Sequence, residues 1–229
     1  MIEFAIVTPL AVLLIFAIIE FGLVYIAKLN LNHATFMAAR EAATKGGTER
    51  EVKESLIKGL IPLYQDASIN DPSARISKAY AVSYAKNQNI DIRQGLESSV
   101  KRLSPTKEAF ADFGLKDRNG KIYIPNDNLM WRKSGSANSP GSRSGMTLQE
   151  ANLLKVKVEY GYMPKTDIVR TVIKNVMCAR GEGLEAFGSE IPIWQKKGDI
   201  DDCLKYYMHG RIKLVSYATV HMQSDVYEN

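Results

Sequence analysis

From Phe4 to Ala27 the chain reads FAIVTPLAVLLIFAIIEFGLVYIA, 24 residues with a single carboxylate, Glu20, and no Lys, Arg or His. As an α-helix this run extends about 36 Å, enough to cross a hydrocarbon core of about 30 Å. The helical pattern continues beyond it through KLNLNHATFMAAREAATKGG to a glycine stop at Gly46 and Gly47. Ala34, Ala38 and Ala42 recur every four residues in this second half, with Ala39 and Ala43 beside them. Such a stripe of small side chains lets a sheet pack closely against the helix. The pattern therefore predicts one helix in two parts. Residues 1–27 form an apolar transmembrane or filament-core half, and residues 28–47 form an amphipathic half. Pro9 falls inside the run, where it removes a backbone donor and is expected to kink or open the helix near Ala5.

The remainder, residues 48–229, has mixed periodicity. TEREVKESLIKGLIPLYQ reads as a short amphipathic helix with Thr48 as N-cap and Glu51 three residues on, and SARISKAYAVSYAKNQN as a second helix. IDIRQ at 90–94 suits a strand. Asn119-Gly120 is a hairpin-turn signal ahead of KIYIP, and residues 134–145, SGSANSPGSRSG, read as an exposed flexible loop. LLKVKVEYGY alternates Leu154, Val156, Val158, Tyr160 and Tyr162 with Lys155, Lys157 and Glu159, the pattern of a half-buried strand. DIVRTVIKNVMC places Ile168, Val169, Val172, Ile173 and Val176 on one helical face. RIKLVSYATVHMQ sets Ile212, Leu214, Ala218, Val220 and Met222 on one strand face, with Arg211, Lys213, Tyr217, Thr219 and His221 opposite. The expected class is α+β: a long N-terminal hydrophobic helix packed against an antiparallel sheet, with additional short helices.

Charge sharpens the division. Residues 1–27 hold none of the 30 Lys and Arg, so every basic charge behind the net +5 lies in residues 28–229. Those charges are scattered among Asp and Glu with no basic run interleaved with aromatics, which argues against a nucleic-acid partner. No basic leader precedes the apolar run, so either it never existed or a processing enzyme removed it. The two carboxylates in this region call for explanation. Glu3 lies within reach of an α-amino group, its own or a neighbouring chain's, and it also suits the positive end of the helix dipole. Glu20 has no cation within one turn, so its partner is expected from another subunit unless it is protonated.

The residues MIEFAIVTPLAVLLIFAIIEFG followed by AAREAA resemble the N-terminus of TadE-like pilins, a branch of the type IV pilin superfamily. The resemblance rests on the acidic-aromatic pair Glu3 and Phe4, on Pro9, on the triplet Glu20, Phe21 and Gly22, and on the Ala-Arg stretch from Ala38 to Ala43. KLVSYATVHMQSD and ANLLKVKVEYGY resemble the later strands of such proteins more loosely. The resemblance implies a leader cleaved by a prepilin peptidase on the cytoplasmic side, and it groups Met1 with Glu3, Phe4, Pro9, Glu20, Phe21 and Gly22 as assembly residues. It implies a single-pass inner-membrane precursor with its body in the periplasm. The pilus assembly machinery would then draw it into an extracellular filament with its own copies and other pilins or pseudopilins. In that setting the glutamate near the new terminus pairs with a neighbour's amine. Many mature type IV pilins carry that glutamate two residues further in than Glu3.

Chemistry beyond assembly is sparse. Cys178 and Cys203 form no CxxC motif. In an exported body they most simply pair, which restricts the unfolded chain by roughly 3.5 kcal/mol, the alternative being two buried reduced thiols. His33, His209 and His221 lack metal-ligand spacing, the GEG at 181–183 is a lone turn-like cluster, and Asp199, Asp201 and Asp202 suit a solvated loop. No catalytic residues, metal or cofactor are expected. The candidate roles are three: a filament-forming pilin for adhesion, surface attachment or DNA or protein transfer; a minor pseudopilin that primes or caps assembly; and a membrane-anchored periplasmic binding domain or enzyme.

Overall fold

The computed structural model describes residues 2–88, 98–129, 139–183 and 205–228, with side chains outside the description at 2–6, 88 and 176–183. The architecture is α+β: a long apolar N-terminal helix, several short helices and two small antiparallel sheets. By contacts the chain divides into two compact units. One comprises Met1–Leu29, Asn89–Ser98 and Tyr160–Leu214, and the other Asn30–Gln88, Ser99–Glu159 and Val215–Asn229. Helix α1 (Ile2–Ala43) contributes to both and runs through Pro9 without interruption, although the proline leaves its turn one donor short.

In the second unit, α1 ends where glycine permits positive φ. Gly46 and Gly47 have φ of 105° and 66°, and the Gly47 amide donates back to the Ala42 carbonyl at 2.9 Å. The Ala43 carbonyl, an orphan of the helix end, accepts from the Gln223 amide at 3.0 Å and the Ser224 hydroxyl at 3.1 Å. Helix α2 (Glu49–Gly59) starts in a complete capping box between Thr48 and Glu51 and buries Val52, Leu56 and Ile57. It is shorter than the sequence pattern suggests. Pro62 cannot continue the ladder, and Ile61–Tyr64 tighten into a 3₁₀ turn. Helix α3 (Pro72–Gln88) is tied to α2 by the buried Ser83 hydroxyl, which donates to the Ile57 carbonyl at 2.8 Å.

Strand β1 (Ser98–Ser104) went unforeseen in the sequence, and the expected strand at 90–94 lies outside the described residues. Arg102 on this strand organises its surroundings. Its guanidinium donates to the carbonyls of Gly47 at 3.1 Å and Tyr227 at 2.7 Å and sits 4.9 Å over the Phe110 ring. Phe110 belongs to α4 (Lys107–Phe113), capped by the Thr106 side chain. The Asn119-Gly120 turn joins β2 (Leu115–Lys116) to β3 (Ile122–Ile124) as an antiparallel pair, with Gly120 at φ 76°. Helix α5 (Leu148–Ala151) begins with a second capping box, Thr147 with Glu150.

Strand β4 (Leu153–Tyr162) buries Leu154, Val156, Val158 and Tyr160 in alternation, as its sequence pattern requires. It lies between β1 and β5 (Ile212–His221), on which Leu214, Ser216 and Ala218 are buried. A short final strand, β6 (Val226–Tyr227), pairs antiparallel with β3 and makes the other sheet β2-β3-β6. Of the loop expected to be exposed and flexible at 134–145, residues 139–145 are described and mostly exposed. Gly141–Met146 form a hydrogen-bonded turn held by the Asp112 carboxylate, which accepts from the Arg143 and Ser144 amides and the Ser144 hydroxyl.

In the first unit the segment after β4 leads into α6 (Asp167–Gly183), whose last turn includes the GEG residues expected to form a turn-like cluster. Arg170 holds the approach to this helix. Its Nε donates to the Pro164 carbonyl at 2.8 Å and its Nη1 pairs with Asp167 at 2.7 Å. Gly210, at φ 66° after a 3₁₀ turn at Tyr207–His209, leaves room for Arg170: a Cβ there would lie 3.0 Å from the Arg170 Cβ. Arg211, assigned to a polar face by alternation, is buried instead and donates to the Gly161 carbonyl at 3.0 Å. Alternation describes solvent only for a strand with one wet face, and a buried guanidinium is tolerable once a carbonyl receives it.

Candidate assembly surface and the Glu20 site

Helix α1 shows a narrow buried stripe and a broad exposed apolar face. Within the first unit the buried positions are Glu20 and Ala27. Within the second they are Leu31, Ala34, Thr35, Ala38, Ala39, Ala42 and Ala43, at the spacing of one helical face. Ala34, Ala38 and Ala42 have no exposed surface. One neighbour of Ala34 is α2: a Cβ on Gly59 would come within 2.9 Å of the Ala34 Cβ and 3.0 Å of its Cα. Glycine on one helix and alanine on the other bring the two backbones together.

From Val7 to Ile26 the exposed side of α1 is apolar apart from Thr8. Leu10, Leu14, Ile18, Phe21 and Tyr25 are each more than half exposed, Phe21 most of all at 76%. Gly22 sits among them with open space where a side chain would stand. The exposed face persists into the second unit at Phe36 and Met37, where Arg40 lies 5.9 Å over the Phe36 ring. Met1 and the side chains of Glu3 and Phe4 lie outside the described residues, as do the Cys178 side chain and Cys203 with the expected disulfide, and the Asp199, Asp201 and Asp202 cluster.

Glu20 is 4% exposed. Its Oε1 accepts from the Thr166 amide at 2.6 Å. Thr166 is the N-cap of α6, because its carbonyl accepts the first intrahelical bond, from the Arg170 amide at 3.3 Å. The carboxyl group therefore sits at the positive end of a helix, where an anion is favoured. This donor comes from within the same chain, where the sequence pointed to another subunit. Glu20 Oε2 and Thr166 Oγ1 are buried without a hydrogen-bond partner among the described residues. Tyr162, nearby, has its phenol pushed above the usual tyrosine range by burial first and by the Glu20 charge second.

Two other helices show what the sequence signal looked like. Both α2 and α5 open with Thr and carry a glutamate at the third helical position that closes the box. The third helical residue of α6 is Val169, which cannot do so. Glu20 supplies that acceptor from α1, occupying the place of the missing box residue. A threonine cap without its acid was the available clue.

Among the described residues α1 is the one helix long and apolar enough to cross a membrane. Residues 1–40 match the family model described as TadE-like protein. No curated protein and no solved structure matches the chain. The matched segment contains the whole apolar run, Pro9, the Glu20-Phe21-Gly22 triplet and most of the alanine stripe. A TadE-like N-terminus suggests a Tad pilus-associated protein, and with the apolar helix it fits a membrane-anchored location.

Proposed function

We propose that this chain is a pilin-type subunit of a Tad-like pilus. It is held first in the bacterial inner membrane with its body in the periplasm, and then polymerises through α1 into an extracellular filament used for attachment or transfer. Prepilin peptidase, the assembly machinery and other pilins are its partners in this reading, and the role is structural rather than catalytic. The observation that carries it is the exposed face of α1. Between Val7 and Ile26, twelve large apolar side chains are more than 40% exposed. Leaving each of them half in water forgoes on the order of 1 kcal/mol. A dozen together amount to about 10 kcal/mol, as large as the whole net stability of a typical domain. Lipid or sister helices must cover such a surface, and a pilin uses both in turn.

A second reading, a minor pseudopilin that primes or caps assembly, is favoured by the bulk of the body, residues 48–229. Composition of sheared filaments separates the two: the pilin reading expects this chain as their main component, and a trace amount at one end selects the minor role. The test of assembly itself is Glu3→Ala, expected to leave the protein in the membrane while blocking its incorporation. Normal incorporation of that variant would remove the pairing of Glu3 with a neighbour's amine.

A further inference from the structure

Helix α6 does not bury the face its sequence marks as apolar. Val169 and Ile173 are half-buried, and Arg170 is turned inward against Gly210 and the Pro164 carbonyl. Ile168 and Val172, one turn apart on the same side, are 64% and 53% exposed, and Met163 just ahead of the helix is also exposed. Lys165, just ahead of the helix, is exposed as well, and Lys174 is exposed about a third of a turn or more around the helix from Ile168 and Val172. An exposed apolar stripe with a lysine on another side of the helix is the pattern of a helix lying in a membrane interface.

The depth at which this helix begins is set by Glu20. Its 2.6 Å hydrogen bond from Thr166 fixes the start of α6 at that level of α1. Ile168 is two residues further, so it lies within about 7 Å of that point. A hydrocarbon core of about 30 Å centred on the run Phe4–Ala27 has its outer boundary about 8 Å beyond Glu20. Interfacial helices insert their apolar faces about 5–10 Å below the same boundary.

We propose that α6 is an interfacial helix. In the membrane-inserted chain Met163, Ile168 and Val172 rest against acyl chains alongside α1, with Lys174 turned away from the acyl chains. This rests on reading α1 as the membrane-spanning helix. The test places a diazirine-bearing amino acid singly at Leu13, Ile168, Val172 and Lys174 of the full chain. Each variant is reconstituted into vesicles of phosphatidylcholine and phosphatidylglycerol, and cross-linking to lipid is measured. Positions 168 and 172 are expected to label lipid at yields comparable to position 13 and several-fold above position 174. Lipid labelling at 13, with 168 and 172 no higher than 174 or joined to a second copy of the chain, overturns the assignment. Absence of labelling at 13 overturns the membrane reading of α1 and the placement of α6 with it.

Discussion

Replacing Glu20 tests whether this residue anchors its own chain. Glu20→Ala deletes the acceptor that the Thr166 amide uses at 2.6 Å. Glu20 is 4% exposed, so no water replaces the lost partner freely. A hydrogen bond to a carboxyl in such a site is worth about 1–3 kcal/mol, and a favourable position at a helix N-terminus adds about 0.3–1 kcal/mol. Against this stands the relief of burying Oε2, which has no partner among the described residues. The balance is a local loss of about 1–3 kcal/mol, which raises amide exchange in the segment roughly 5- to 150-fold. Glu20→Gln keeps an acceptor in place and should lose less. The measurement is hydrogen exchange by mass spectrometry on the full chain in detergent. The peptide covering 163–171 is followed, with the α2 peptide as internal reference. Exchange in 163–171 that stays within about twofold of wild type in Glu20→Ala would refute the anchor, because a bond worth even 1 kcal/mol shifts exchange by about fivefold.

Two further outcomes concern the second unit. Gly59→Ala reverses the usual sign of a glycine-to-alanine change in a helix, normally a gain of about 1 kcal/mol. Here the new Cβ meets the Ala34 backbone at 3.0 Å, so α2 must move off α1 and stability should fall by about 1–3 kcal/mol. Thermal unfolding in detergent should drop by about 2–4 °C per kcal/mol, with partial recovery when Ala34→Gly is added, and a rise in Tm would refute the contact. Asp112 is held below its ordinary value of 3.8, first by the Ser144 amide and then by the Ser144 hydroxyl and the Arg143 amide. Its folded-state value is depressed, so it supports the Gly141–Met146 turn above the unfolded value and loses that support as pH falls through the folded one. Amide protection at Arg143 and Ser144 should persist to below pH 3.8 and vanish in Asp112→Ala at all pH, and unchanged protection in that variant would sink the assignment.

The parts legible in the sequence are those whose signal is local. The apolar run, the glycine stop after α1, the Thr48 cap and the alternation of β4 are each written in a few adjacent residues, and each corresponds to an element at that place. Strand β1 escaped because SSVKRLS has no alternation of its own, and its Arg102 takes its partners from Gly47 and Tyr227, far away in the chain. The Asp112 turn escaped for the same reason, since a Ser-Gly stretch looks loose until a carboxylate some thirty residues earlier collects its amides. The helical face of α6 was legible as a pattern, but a pattern does not state what covers it. Ile168 and Val172 are apolar for a surface the chain itself leaves open.

The same limit explains Glu20. In the first half of α1 nearly every position is apolar, so periodicity does not separate the side that meets the chain's own body from the side that meets lipid or a sister helix. The distinction shows instead at Glu20 and Ala27. Glu20 and Ala27 are buried, while Phe21, Tyr25 and Ile26 are not. A buried carboxyl is favoured where a donor is fixed, and the α6 N-terminus provides one from within the chain. Glu20 is tied to α6 within the same chain, and Phe21 and Gly22 beside it are exposed. Under the proposed assembly, Glu3 is the acid that pairs with a neighbouring chain. The Glu3 and Glu20 variants should accordingly fail differently, the first at incorporation and the second within the isolated subunit.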